Sequence, residues 1–473
     1  IQAWLRDPAN KPGIVSVMEA LCVETAWAGV IGMGTRAEML DYLRRQLVDD
    51  ITQVVNDGSY VQTALSERLA NAGLLPMFGF PTRVRLLYTS WPRQATPWPP
   101  EEGVVDRDLD TAISQFAPGS QTIKDKAVHT AVGVADFMPA GQTVKTQDGF
   151  TPPLPDINPA LIGICDQCHA VVPLDGTSRL FEAGREPQKQ ICPVCRLPEP
   201  SLRPLDCREP KGFFTDLAPQ DFEGQFEWRP RSTRPSLSIN TPANMQTEPS
   251  TTVGNCVLYR FSERILSVND NGGRGGFDFR RAKVYGQERL GAFAALAVAK
   301  PDETSADSSA GSARDDFVSS YGPGWRVGLI SRRKTDILLI KVQDWPTGIF
   351  ADPRRIEGRA AWYSFAFWAR IAAGTLLDVD ALEMQAGFRS VPDDRRTVTG
   401  QAFLCDQLEN GAGYCQFLGQ PDQFARLLAQ AEPGAPASIA SKWLATEQGQ
   451  FGGLPHAIEC DTSCLLYTSD AAD

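Results

Sequence analysis

The sequence predicts an α+β, multidomain protein: an N-terminal helical segment, a strand-rich middle that carries an inserted cysteine-bearing ribbon, and a C-terminal α/β unit. Three observations predict it. Apolar residues recur at helical spacing over the first 75 positions. Short apolar runs broken by Pro and Gly follow, in the texture of strands and tight loops. Two Cys-x2-Cys pairs then stand 23 residues apart, at Cys165/Cys168 and Cys192/Cys195. A chain of 473 residues exceeds one ordinary core, so roughly two to four domains are expected. Hydrophobic content of 42% and charged content of 22% are those of a globular protein.

The helical segment spans residues 1–75. "GTRAEMLDYLRRQLVDDITQVVNDG" reads as one helix with Leu40, Leu43, Leu47, Ile51 and Val54 on one face. Thr35 and Glu38 form a capping box at its start, and Asn56-Asp57-Gly58 stops it. A second helix runs through "YVQTALSERLANAG" and ends at Gly73. Cys22 lies among apolar neighbours and reads as a core residue.

Residues 76–155 read as a strand-rich segment of strands and tight loops, including "RVRLLY" and "VVDRDLDTAISQFAPGS". Residues 156–212 hold the cysteine pairs. A second strand-rich segment, 213–350, contains the strand "GFDFRRAKVYG" and the expected hairpin "WRVGLISRRKTDILLIKV". The glycine-rich "NDNGGRGGFDF" reads as a turn between strands, and residues 300–316 as a polar loop. The last unit, 351–463, runs from the helix "GRAAWYSFAFWARIAAGTLLD" through strands at "EMQAGF" and "TGQAFLCD". The turn "NGAGY" then leads to a helix at "DQFARLLAQA".

Two Cys-x2-Cys knuckles with about 20 residues between them are the usual way to hold one tetrahedral Zn²⁺. The spacing therefore predicts a zinc-ribbon module with Cys165, Cys168, Cys192 and Cys195 as ligands. Four protein ligands leave no open position, so the expected role of the metal is structural. His169 is the alternative ligand, and Cys207 stands outside the spacing. Eleven cysteines in a chain that opens with no export signal point to a reducing, cytoplasmic compartment.

Charge and motifs exclude more than they include. A net charge of −11 opposes bulk electrostatic attraction to nucleic acid. Arg229/Arg231/Arg234, Arg280/Arg281/Lys283 and Arg332/Arg333/Lys334 read as solvated faces or hairpin turns. The apolar run at 290–299 is too short to cross a bilayer, so no membrane partner is expected. No Gly-x4-Gly-Lys-Ser/Thr phosphate loop occurs, and the three histidines form no catalytic set. Asp406 reads as a cap for the turn that follows it, with a catalytic acid as the alternative.

The order of segments carries a resemblance. "LSERLANAGLLPMFGFPTRVRLLY", "DRDLDTAISQFAPGS", the cysteine knuckles and "REPKGFFTD" resemble the region downstream of the motor in large bacterial superfamily-2 (DEAD/DEAH-type) DNA helicases. "TLLDVDALEMQAG" and "FLCDQLENGAGYC" look like the MrfA-like zinc-binding domain appended to such helicases and found also in phage-defence proteins. The resemblance implies a non-catalytic accessory region that engages DNA, weakly when isolated. ATP binding and hydrolysis would belong to a helicase motor in cis or in trans. The alternative it implies is a stand-alone interaction subunit of a phage-defence complex. It also implies a second, truncated zinc site at Cys460, with Cys405 and Cys415 as further candidates. The chain starts at Ile1 and reads as a fragment. The tail 464–473 matches the translation of a transposase sequencing adapter and is expected to be adapter-derived.

Overall fold

The computed structural model describes residues 2–21, 35–56, 65–72, 74–75, 83–92, 95, 97–151, 161–174, 181–222, 234–238, 250–284, 296–299, 318–344, 351–392 and 397–430. The architecture is α+β and divides into two compact units, Ile1–Thr82 and Arg83–Asp473. Gly73, Cys22, the loop 300–316, Cys460 and the tail 464–473 lie outside the described residues.

The first unit is helical: α1 (Gln2–Arg6), α2 (Lys11–Leu21), α3 (Thr35–Arg45), α4 (Leu47–Asn56) and α5 (Leu65–Asn71). The single helix expected across residues 35–56 is two, broken at Gln46. Its charges explain the break. Arg44 and Arg45 close the last turn of α3, and Asp49 and Asp50 open the first turn of α4. Each pair faces the end of the helix dipole that it stabilises. Arg44 also donates to the Leu5, Arg6 and Asp7 carbonyls at the end of α1. Ile14, Met18 and Leu40 are buried together as the core.

In the second unit the early elements are β1 (Val84–Tyr88), β2 (Val104–Asp108), α6 (Leu109–Gln115), β3 (Gln121–Lys124), β4 (Ala127–Val134), β5 (Asp136–Ala140) and β6 (Thr143–Gln147). Then come β7 (Leu161–Cys165), β8 (Val171–Pro173), β9 (Phe181–Glu182), β10 (Leu202–Arg208), β11 (Phe213–Thr215), β12 (Gln220–Asp221) and β13 (Arg234–Ser236). Next are β14 (Ser250–Val253), β15 (Cys256–Asn269), β16 (Phe277–Val284), β17 (Leu296–Ala299) and β18 (Val318–Val342). Last are α7 (Ile356–Leu377), β19 (Met384–Pro392), β20 (Val398–Asp406), α8 (Tyr414–Leu418) and α9 (Pro421–Ala429).

β18 organises the unit. Its first part pairs with β16, which leads through β17, β4, β11 and β1 to β2. Its second part lies between β15 and β20, and β19 closes that side. Residues 325–342, expected as a hairpin, are therefore one strand. Arg332-Arg333-Lys334 contains no residue suited to positive φ, whereas β15 offers fourteen consecutive partners, from Cys256↔Val342 to Asn269↔Leu329. Arg333, expected on a solvated turn, is buried. The passage around 104–120, expected as strands and loops, contains α6, which starts where the Asp108 carboxylate accepts from the Asp110 N–H.

Residues 253–284 match expectation, with a turn rather than a phosphate loop between β15 and β16. Alternation along β18 sends Leu338 and Ile340 to one core, and Ile337 and Leu339 to another. The first core is roofed by α7, whose Ala366, Ala369, Ala372 and Ala373 let the helix lie close to the sheet. Trp362 fills the remaining gap and donates Nε1–H to the Ala351 carbonyl at 2.9 Å. A Cβ on Gly400 would strike that indole.

Candidate metal centre

The ribbon is built on β7, which pairs antiparallel with both β8 and β10. β10 continues into a parallel pairing with β18 at Cys207↔Gly328, which fixes the ribbon to the middle of that strand. Cys165 ends β7 opposite Leu202. Gly163 is required there because a Cβ would approach the Leu202 side chain to 2.7 Å.

Both knuckles have the same construction. After the first, the His169 N–H donates to the Cys165 carbonyl at 3.0 Å, and His169 sits at φ 58°. After the second, the Arg196 N–H donates to the Cys192 carbonyl at 2.9 Å, and Arg196 sits at φ 50°. His169 thus closes the turn in a left-handed conformation that its side chain tolerates. It is not among the grouped ligands.

All four Sγ atoms lie within 4.8 Å of one another and are buried. Cys165 Sγ is 3.7 Å from Cys195 Sγ, and Cys168 Sγ is 3.8 Å from Cys192 Sγ. Tetrahedral bonds of ~2.3 Å require sulfur separations of ~3.8 Å, so the cluster can hold a metal ion. Donors already aim at the sulfur that would carry charge. The Gln167 and Cys168 N–H groups reach Cys165 Sγ at 3.4 Å each, and Ser201 Oγ lies 3.4 Å from the same atom. Hydrogen bonds from Cys168 and Cys192 hold Cys165 far below the usual thiol range. The contact with Cys165 in turn pushes Cys168 well up and Cys192 up to about 11.

The centre also touches the C-terminal sheet. Ser390 Oγ of β19 donates to the Cys168 carbonyl, and Val398 of β20 packs among the cysteines with Leu202 and Val194. The remaining candidates do not join it. Cys207 lies buried among Ile162, Leu205 and Ile330, and burial pushes its thiol up. Cys405 packs with Phe261 and Phe403, and Cys415 with Leu338 and Leu418. Asp406 is a cap: it is fully buried, and its carboxylate accepts from the Ala412, Tyr414 and Cys415 N–H groups at 2.7, 3.1 and 3.0 Å.

Sequence reading missed a second buried cluster. Asp110 of α6 accepts from Arg333 of β18 and from Ser331, and Arg83 donates to Ser331. Arg83 lies 3.6 Å from Asp110 and 3.8 Å from Glu409. Arg333 also donates to Gln385 Oε1 of β19 at 2.9 Å and to the Asp406 carbonyl at 3.3 Å. Burial works to raise the Asp110 carboxyl, but Arg83 and Arg333 outweigh it and hold the group below its usual range. For Glu409 burial wins over Arg83, and with Glu209 nearby the carboxyl is pushed up to about 7.

No family model matches the chain, and no curated protein does. Among solved structures it is similar to the crystal structure of DUF1998 helicase MrfA bound to DNA, at 11% identity and a TM-score of 0.27. The match covers 56% of this chain and 27% of that one, so the chain spans about a quarter of the protein it matches. Among the described residues, no helix is long and apolar enough to cross a membrane.

Proposed function

We propose that the chain is a non-catalytic accessory region of a superfamily-2 DNA helicase, stiffened by one structural zinc and assisting the motor's engagement of DNA. The observation that carries the metal half of this reading is the convergence of Cys165, Cys168, Cys192 and Cys195, buried and within 4.8 Å of one another. A fully thiolate donor set suits Zn²⁺, and four protein ligands close the coordination sphere. The order of sequence segments supports the helicase half, with the motor in cis or in trans. On this reading the modules are 1–75, 76–155, 156–212, 213–350 and 351–463, and the compartment is the cytoplasm.

A net charge of −11 limits the DNA contact to local groups. Fluorescence anisotropy with a short single strand should give dissociation constants on the order of 10⁻⁴–10⁻⁶ M that weaken with salt. Chelation of the metal should abolish even that. Nanomolar binding, or binding indifferent to chelation, would contradict the proposal.

A further inference from the structure

A cavity of about 400 Å³ opens beside the cysteine ribbon, lined by Leu161, Phe181, Gln188, Lys189, Gln190 and Pro204. Clefts that take small organic groups occupy roughly 300–1,000 Å³. Its walls come from three separate pieces of chain, each held from behind. Leu161 of β7 and Pro204 of β10 belong to the antiparallel pair that carries the ribbon. Phe181 belongs to β9, which pairs with β18 through Arg326↔Phe181 and Trp325↔Glu182. The Ala183 and Gly184 N–H groups extend that hold, donating to the Gly324 carbonyl at 3.1 Å and to Asp278 Oδ2 at 3.0 Å.

The third wall, residues 188–190, is tied to both knuckles. The Gln190 N–H donates to the Leu202 carbonyl at 2.8 Å, and the Ser201 and Leu202 N–H groups donate to the Gln190 carbonyl at 3.0 and 2.9 Å. Gln190 stands two residues before Cys192. Lys189 Nζ meets Asp166 Oδ2 at 2.8 Å, one residue after Cys165.

What these walls offer narrows the occupant. Phe181 is half-buried, and among the described residues no hydrophobic core includes it. Gln188 and Gln190 are exposed, and each amide carries donors and an acceptor. The cations here are already matched: Lys189 with Asp166, and Arg326, opposite Phe181, with Asp278 at 2.8 and 3.0 Å. A phosphate calls for an unmatched cation. A flat, uncharged ring calls instead for a stacking surface and hydrogen-bonding groups at its edge.

We propose that this cavity is a nucleobase subsite that takes one unpaired base of a single strand, an inference that rests on the DNA-engaging role proposed above. Phe181 stacks on the base, Gln188 and Gln190 hydrogen-bond its edge, and Leu161 and Pro204 form the floor. Every base has a face to stack, so sequence preference should be slight.

The test compares two single strands of equal length and charge on the purified full chain: one of thymidine, the other abasic. Phosphate attraction is the same for both, so their difference isolates the base. The thymidine strand should bind roughly 5- to 150-fold tighter. Phe181→Leu keeps apolar bulk but loses the ring, and should erase that preference while leaving abasic binding unchanged. Equal binding of the two strands, or a preference that survives Phe181→Leu, would overturn the subsite and leave the DNA-engaging role standing. Binding of neither strand would remove that role and the subsite with it. If the variant does not fold, photocross-linking of wild type to a strand carrying 5-iodouracil decides. A cross-linked peptide containing Phe181 supports the subsite, and cross-links confined to other peptides, or none, overturn it.

Discussion

The four-thiol cluster and the arginine–carboxylate cluster are both buried in Arg83–Asp473, yet they make opposite demands on their surroundings. Four thiols of one kind lie within 4.8 Å of one another, and N–H and O–H donors reach Cys165 Sγ. Such a group can take a cation from outside. Asp110, Arg83 and Arg333 bring both signs and most of their own hydrogen bonds, and so complete themselves. β19 joins the two: Ser390 touches the Cys168 carbonyl and Gln385 touches Arg333. The contrast is between a cluster that can accept a metal ion and one whose charges meet within the fold.

The largest effect should come from removing that metal ion. Cys192→Ser should lose the metal and unfold the ribbon around residues 161–208, because structural zinc contributes on the order of 10–16 kcal/mol in small modules. Hydrogen exchange should show protection lost there and kept in the helices of Ile1–Thr82. Through Ser390 and Val398, the β19–β20 ends should loosen in the same experiment. Unchanged exchange in the ribbon would place its stability in its apolar contacts.

Breaking the internal cluster should cost less. Asp110→Ala leaves Arg333 and Arg83 buried without their carboxylate, so chemical denaturation should report a loss of about 3–5 kcal/mol. Replacing both members, as in Asp110→Leu with Arg333→Met, should cost less than Asp110→Ala alone, since Arg83 is then the one member of the cluster left without that carboxylate. Strictly additive losses would mean that the two residues do not act as a pair.

These two clusters also differ in how far the sequence revealed them. The knuckles are local: each occupies four residues, and ligand spacing follows from the turn that presents the thiols. Cys165, Cys168, Cys192 and Cys195 could therefore be named from spacing alone. Asp110 and Arg333 stand 223 residues apart, and nothing in "DLDTAIS" or "SRRKT" signals that they meet. The same non-locality explains the misread hairpin. A basic triplet looks like a solvated turn until its partner α6 is known, and α6 was itself hidden in a passage read as strands and loops. Helix α7 and strands β19 and β20 were legible because period and length coincide there with burial.

The smallest effect should come from the donor around the thiols. Ser201→Ala removes one O–H beside Cys165 and Cys195, at 3.4 and 3.9 Å, and leaves the four ligands intact. Competition with a chromogenic chelator should show metal affinity lowered about 10- to 100-fold, with the fold retained. Affinity equal to wild type would leave charge-sharing to the backbone N–H groups.

The central claim is that the four cysteines are one metal site. Elemental analysis joined to X-ray absorption of the purified protein tests it most directly. One zinc per chain is expected, bound by four sulfurs at ~2.3 Å and by no nitrogen or oxygen. Protein purified without chelators and found free of metal, or a first shell containing nitrogen or oxygen, would contradict it.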